Sequence, residues 1–237
     1  MTTPAAIIEL SNLRFAWPRQ ATLLDIAEFR LEPEQSLFLK GPSGSGKTTL
    51  LGLLGGVQLA QSGSIHLLGK DLSTLSASAR DRFRVDHSGF IFQQFNLLPF
   101  LSVTDNVLLP CQFSKYRKQR AIARHGSIQQ AAQALLIQLG LAADLHQQLA
   151  GELSIGQQQR VAAARALIGQ PKLVIADEPT SALDADSREA FLRLLFAECK
   201  AAGASLLFVS HDQSLAKLFD RSLDLSQLNR ATRQQEI

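Results

Sequence analysis

The chain has 237 residues, 46% of them hydrophobic and 19% charged, the balance of a folded globule and not of a disordered or collagenous chain. A net charge of +3 is too small to argue for nucleic acid as a partner. Cys111 and Cys199 stand far apart without C-x-x-C spacing, which argues against a disulfide framework or a thiolate metal site and reads as ordinary cytosolic thiols.

The N-terminus, Met1 to Ala6, lacks a basic segment followed by an apolar core, and no stretch approaches the ~18 apolar residues of a membrane helix. Any membrane role is therefore expected to come through a partner. Ile7 to Phe15 mixes β-branched and aromatic residues with polar ones, predicting one or two edge strands. Trp17 follows beside Pro18, where its ring can stack on an adenine or fill a local core; spacing leaves both readings open.

The apolar run Ser36 to Lys40, the loop Gly41, Pro42, Ser43, Gly44, Ser45, Gly46, Lys47, Thr48, Thr49 and the helically spaced leucines from Leu50 form a strand, glycine loop and helix in that order. The spacing is G-x-x-x-x-G-K-[ST], in which backbone N–H groups converge on phosphate oxygens, helped by the positive end of the following helix. Lys47 is expected at the β- and γ-phosphates and Thr48 at Mg²⁺, so the chain is expected to bind a nucleoside triphosphate.

Further on, Gly63 to Gly69 predicts a short strand and turn, Ser73 to Arg84 a polar helix, and Gly89 to Phe92 a buried strand delivering Gln93 at its carboxyl end. That end suits Gln93 for Mg²⁺ or the attacking water. From Phe95 to Leu149 the character changes. Pro99 and Pro110 are expected to punctuate an apolar loop, and a helical pattern runs from Ser127 to Gly140. Lys115 to Arg120, continued by Arg124, reads as a solvated helix face, with acidic lipid headgroups or a protein partner as alternatives.

Ser154 and Gln157 have the spacing of a capping box opening a helix that stops before Pro171. Leu173 to Ala176 is an unbroken apolar run, a strand buried on both faces, ending in Asp177-Glu178. One carboxylate suits Mg²⁺ held through water, the other the polarisation of attacking water. A helix from Asp186 to Ala202 closes at Gly203, and Ala204 to Val209 predicts another central strand, which presents His211. Arg230 to Ile237 reads as a loose polar tail.

The ordered set Trp17, Gly41 to Thr49, Gln93, Leu153 to Gln157, Asp177-Glu178, Ser181 to Asp184 and His211 resembles the nucleotide-binding subunit of an ABC transporter from about Ile7 to Leu225. The resemblance implies an α/β fold: a RecA-like P-loop core (1–93 and 158–229) with an antiparallel β edge and an inserted helical subdomain (94–157), within a single domain 1–229. It further implies adenine stacking at Trp17 and roles for Gln93 as the Q-loop residue, Asp177 as a metal ligand, Glu178 as general base, Asp184 in the D-loop and His211 as the switch histidine. Ser154, Gly156 and Gln157 belong to the signature that meets the ATP of a second copy, head to tail. Here the signature has Ile155 where glycine is common, so that position must take ordinary helical backbone. Longer segments are most similar to lipoprotein-releasing, macrolide-exporting and cell-division ATPases. The resemblance therefore implies an Mg²⁺-dependent ATPase at the cytoplasmic face of the inner membrane, docked near Asn96 to Pro110 on a permease. A soluble or recruitment-type ATPase is the alternative. A ribosome-acting relative would be a fused pair, and a chromosome-maintenance relative would carry a long coiled coil.

Overall fold

The computed structural model describes residues 5–233, so the readings placed on Met1 to Pro4 and on residues 234–237 lie outside the described residues. Two long strands, β1 (Ile8–Ala16) and β2 (Thr22–Leu31), precede the short β3 (Ser36–Lys40), the glycine loop and α1 (Lys47–Leu54). Strands β4 (Ser62–Leu67) and β5 (Lys70–Asp71), helix α2 (Ala77–His87) and strand β6 (Ser88–Ile91) follow. Helices α3 (Val103–Phe113), α4 (Lys115–His125), α5 (Ile128–Gln138) and α6 (Ile155–Leu167) come next. The chain then forms β7 (Leu173–Asp177), α7 (Ala185–Ala202), β8 (Ser205–Val209), β9 (Arg221–Asp224) and two single turns, α8 (Leu225–Leu228) and α9 (Arg230–Arg233). It divides into two compact units, one running to Arg84 and resuming at Ser205, the other from Val85 to Ala204.

In the first unit an antiparallel sheet has the order β2-β1-β4-β5. The expected edge strand is thus interior: β1 pairs with β2 on one side and β4 on the other. Its inward positions, Ile8 and Leu10, shift by one residue to Leu13 and Phe15 at Asn12, whose φ of 49° asparagine tolerates and which coincides with a register shift against β4. The unanticipated partner, β2, buries Leu24, Ile26, Phe29 and Leu31. Strands β8, β3 and β9 run parallel in that order, and the side chains of Leu37, Phe38, Leu39 and all of β8 are buried, as unbroken apolar runs require. Phe38, Phe208 and Phe219 pack there with ring centroids 6.3, 5.4 and 5.1 Å apart. The expected loose tail instead starts as α9. Buried Asn229 accepts from Asp25 N–H at 2.8 Å and donates to Leu23 O at 2.8 Å, binding this segment to β2.

In the second unit β6 and β7 pair in parallel. Pro110 does not interrupt a loop; it lies inside α3, three residues before that helix ends. A proline removes one helical N–H and crowds the preceding turn, and the helix stops at the Ser114 cap. Fully buried Asn106 clamps the segment before α3, accepting from Leu98 N–H at 2.8 Å and donating to Leu98 O and Ser102 O, each at 3.0 Å. That clamp fixes a loop whose Phe100 is 70% exposed.

The basic stretch is the helix α4, but it is not wholly solvated. Arg117 is buried, donating through Nε to Ile168 O at 2.7 Å and through Nη2 to Ala166 O at 2.5 Å, carbonyls at the end of α6. Burial lowers its guanidinium to about 10, so it keeps its charge at neutral pH. The charge faces the negative end of a helix dipole.

Both thiols are buried. Burial pushes the Cys199 thiol up to about 12 and also raises Cys111. Because the thiolate is the nucleophile, neither cysteine should be alkylated by iodoacetamide in the folded protein at neutral pH, while both should react in urea. Mass spectrometry showing stoichiometric labelling of the native chain would contradict this.

Candidate functional site

In the first unit the glycine loop leaves β3 and turns into α1 at Gly46, whose backbone is left-handed (φ 97°, ψ 12°). A Cβ there would lie 2.8 Å from Leu24 Cδ2, so conformation and space both demand glycine. Buried Lys47 donates through Nζ to Gly41 O at 2.8 Å and Pro42 O at 2.9 Å, folding the loop around the ammonium. Ser45 Oγ is buried with no hydrogen-bond partner, a polar atom inside a loop suited to an anion. Pro42, Ser43, Gly44 and Thr48 are exposed and Thr49 is half-buried.

His211 belongs to the same unit. It follows β8, and since Leu39 pairs with Val209 in parallel register, His211 and the loop emerge from the same end of neighbouring strands. Trp17 lies between β1 and β2, edge-on to Phe15 with centroids 5.2 Å apart, and is 37% exposed. The ring therefore packs on the local core with part of its surface open, and both readings of it stand.

The second unit places the other residues. Ile91 pairs with Ala176 in parallel register, so Gln93 and the Asp177-Glu178 pair leave the same end of β6 and β7. Asp177 is the last residue of β7 and Glu178 has a φ of 47°, which a non-glycine residue adopts only when its surroundings hold it.

Helix α6 braces two such turns, one at Glu178 and one at Phe95-Asn96, through two residues that sequence patterning missed. Gln159, 1% exposed, donates to Pro179 O at 2.7 Å, directly after Glu178. Arg165 donates to Asn96 O at 2.6 Å and to Phe95 O, bracing a turn in which Phe95 and Asn96 both have positive φ. Each bond joins a side chain to a backbone carbonyl at least 20 residues away in sequence, so periodicity carries no trace of it.

The start of α6 has the expected capping box: Ser154 N–H donates to Gln157 Oε1 at 2.9 Å and Gln157 N–H to Ser154 Oγ at 3.4 Å. Ile155 is the first helical residue, with ordinary backbone, and is 54% exposed. A Cβ on Gly156 would meet only Leu183 Cδ2, at 3.8 Å, and its φ is not positive. Nothing among the described residues therefore requires glycine there. Asp184 caps α7, accepting from Ser187 N–H at 2.9 Å and Ser187 Oγ–H at 2.8 Å; these bonds hold its carboxyl below the usual range. A capping aspartate at this point is fixed in direction by its own helix.

Residues 24–181 match the ABC transporter family. The lipoprotein-releasing system ATP-binding protein LolD of Syntrophotalea carbinolica is 35% identical over 229 residues, 95% of this chain and 97% of that protein. The uncharacterised ABC transporter ATP-binding protein YbbA of Escherichia coli K12 is 40% identical over 222 residues, 92% of this chain and 94% of that one. Among solved structures, the dimeric post-hydrolysis state of the cassette MJ0796 bound to ADP and Pi superposes with a TM-score of 0.80 at 30% identity, covering 95% of each chain.

Proposed function

Because the chain belongs to the ABC transporter family, we propose that it is the ATP-binding, ATP-hydrolysing subunit of a bacterial complex, powering a separate membrane permease of the lipoprotein-releasing kind. The observation that carries the reading is the Gly41 to Thr49 loop, with Lys47 drawn inward, Ser45 Oγ without a partner and α1 starting at Gly46. A triphosphate would receive the backbone N–H groups and Lys47 there, while Trp17 stacks on its adenine. Glu178 accepts the proton of the attacking water, Gln93 orients that water, and His211 contacts the γ-phosphate.

Thr48, Gln93 and Asp177 would hold Mg²⁺, whose charge offsets that of the β- and γ-phosphates. A hydroxyl, an amide oxygen and one carboxylate fit a hard ion that shares its shell with phosphate and water. They do not resemble an all-protein cage, and no cluster of three or more His, Cys, Asp or Glu suited to a metal occurs among the described residues.

Two copies acting head to tail are supported by the dimeric MJ0796 cassette and by Gly156, whose open surroundings leave room for a phosphate held by the opposite copy. Ser154 and Gln157 present the same helix start. A RecA-like core of residues 1–93 and 158–229 with a helical subdomain 94–157 goes with this reading. So does a peripheral position at the cytoplasmic face of the inner membrane, with the exposed loop near Asn96 to Pro110 on the permease. No helix among the described residues is long and apolar enough to cross a membrane. A soluble, non-transport role is not favoured, since the named relatives are transporter subunits.

The test is phosphate release by the purified chain with Mg²⁺ and ATP, measured against protein concentration. Specific activity should rise with concentration as pairs form. A flat specific activity would remove the pair, and no hydrolysis with or without membranes would remove the ATPase.

A further inference from the structure

Between Asn106 and Ala143 the chain has five cations, Lys115, Arg117, Lys118, Arg120 and Arg124, and no carboxylate. The rest, with 19 cations against 21 carboxylates, is net negative, so the whole positive excess lies in one segment. That segment centres on α4, none of whose charge the proposed ATP chemistry uses.

The helix sorts its residues by face. Arg117 and Ala121 point inward, whereas Lys115, Lys118, Gln119 and Ile122, spaced i, i+3, i+4 and i+7, form an exposed stripe. Tyr116, 38% exposed, flanks it, and Phe113, 74% exposed, ends α3 two residues before Lys115. The three arginines are engaged: Arg117 at the end of α6, Arg120 with Tyr116 Oη at 2.9 Å and Gln170 Oε1 at 3.3 Å, and Arg124 with Ala201 O at 3.3 Å. The ammonium groups of Lys115 and Lys118 make no hydrogen bond or ion pair among the described residues. The surface thus offers two exposed ammonium groups beside a few apolar and aromatic side chains.

We infer that the exposed face of α4, with Phe113, binds the anionic headgroups of a lipid bilayer. Lysines of this kind suit diffuse, exchanging phosphate groups, while an acidic peptide is better matched by the planar arginine forks that are already occupied here. Tyr116 beside the lysines, with Ile122 one turn after Lys118 and Phe113 before Lys115, are the side chains that settle at the headgroup level beneath a basic helix. A membrane contact of this sort belongs to the subunit itself, in addition to any contact made through a permease.

The test is co-sedimentation of the full chain with vesicles of phosphatidylcholine alone or containing phosphatidylglycerol. Binding is expected only to the anionic vesicles, weakening as salt is raised. The double variant Lys115→Glu/Lys118→Glu should reduce partition at least about tenfold, and Phe113→Ser should also reduce it, both with ATP hydrolysis in solution unchanged. Equal binding to both vesicles, no binding, or binding that ignores the charge reversal would overturn the inference. Retention on immobilised polyglutamate without vesicle binding would overturn it too, in favour of an acidic protein. Because hydrolysis is measured separately, loss of lipid binding and loss of the ATPase reading are distinguishable.

Discussion

Glu178→Gln is expected to cut ATP turnover by about 10²–10⁴-fold, the usual contribution of a general base, while ATP binding survives. The substitution keeps the side chain's shape and the backbone at φ 47°, held by the Gln159 bond to Pro179 O, but an amide cannot take the water's proton. ATP should then persist, and with it the pair of copies it joins. Phosphate release at saturating Mg²⁺-ATP, together with light scattering in ATP, reads both effects; near-normal turnover would displace Glu178 from the role of base.

Arg117→Met should produce the largest loss of stability, roughly 3 kcal/mol, read as a lower urea midpoint at unchanged slope. Methionine fills much of the volume but leaves Ile168 O and Ala166 O without their donors in a buried place. Arg117→Lys should recover only part, because one ammonium lacks the planar fork that reaches several carbonyls. By contrast, an unchanged midpoint for Lys118→Met is expected from its exposed place on the same helix. A midpoint unmoved in Arg117→Met would mean that α6 ends without needing the cation.

The glycine loop, the capping box and the apolar strands were legible because each is written in adjacent residues: a spacing, a cap, an unbroken run. The family resemblance was legible for the same reason, since its motifs are short and ordered. Strand β2 escaped because Asp25 interrupts its apolar positions, although that residue is itself buried and its N–H is bonded to Asn229. Pro110 misled because it marks the end of α3 from inside that helix, three residues before it stops, and not a loop. Arg117 looked like its neighbours in the basic run, and only the fold separates a cation capping carbonyls 49 and 51 residues away from lysines facing solvent. Gln159 and Arg165 were hidden likewise: their task is to brace backbone turns, and what they brace is distant in sequence.

The Asn106 clamp acts on its loop before any partner does. With its amide bonded to Leu98 and Ser102, the loop carrying Leu98 and Phe100 is rigid before anything reaches it. Ordering a free backbone costs about 1–2 kcal/mol per residue, and here that entropy is surrendered during folding. A partner seated on Phe100 would meet a preorganised knob, so recognition there becomes a matter of shape and not of induced order.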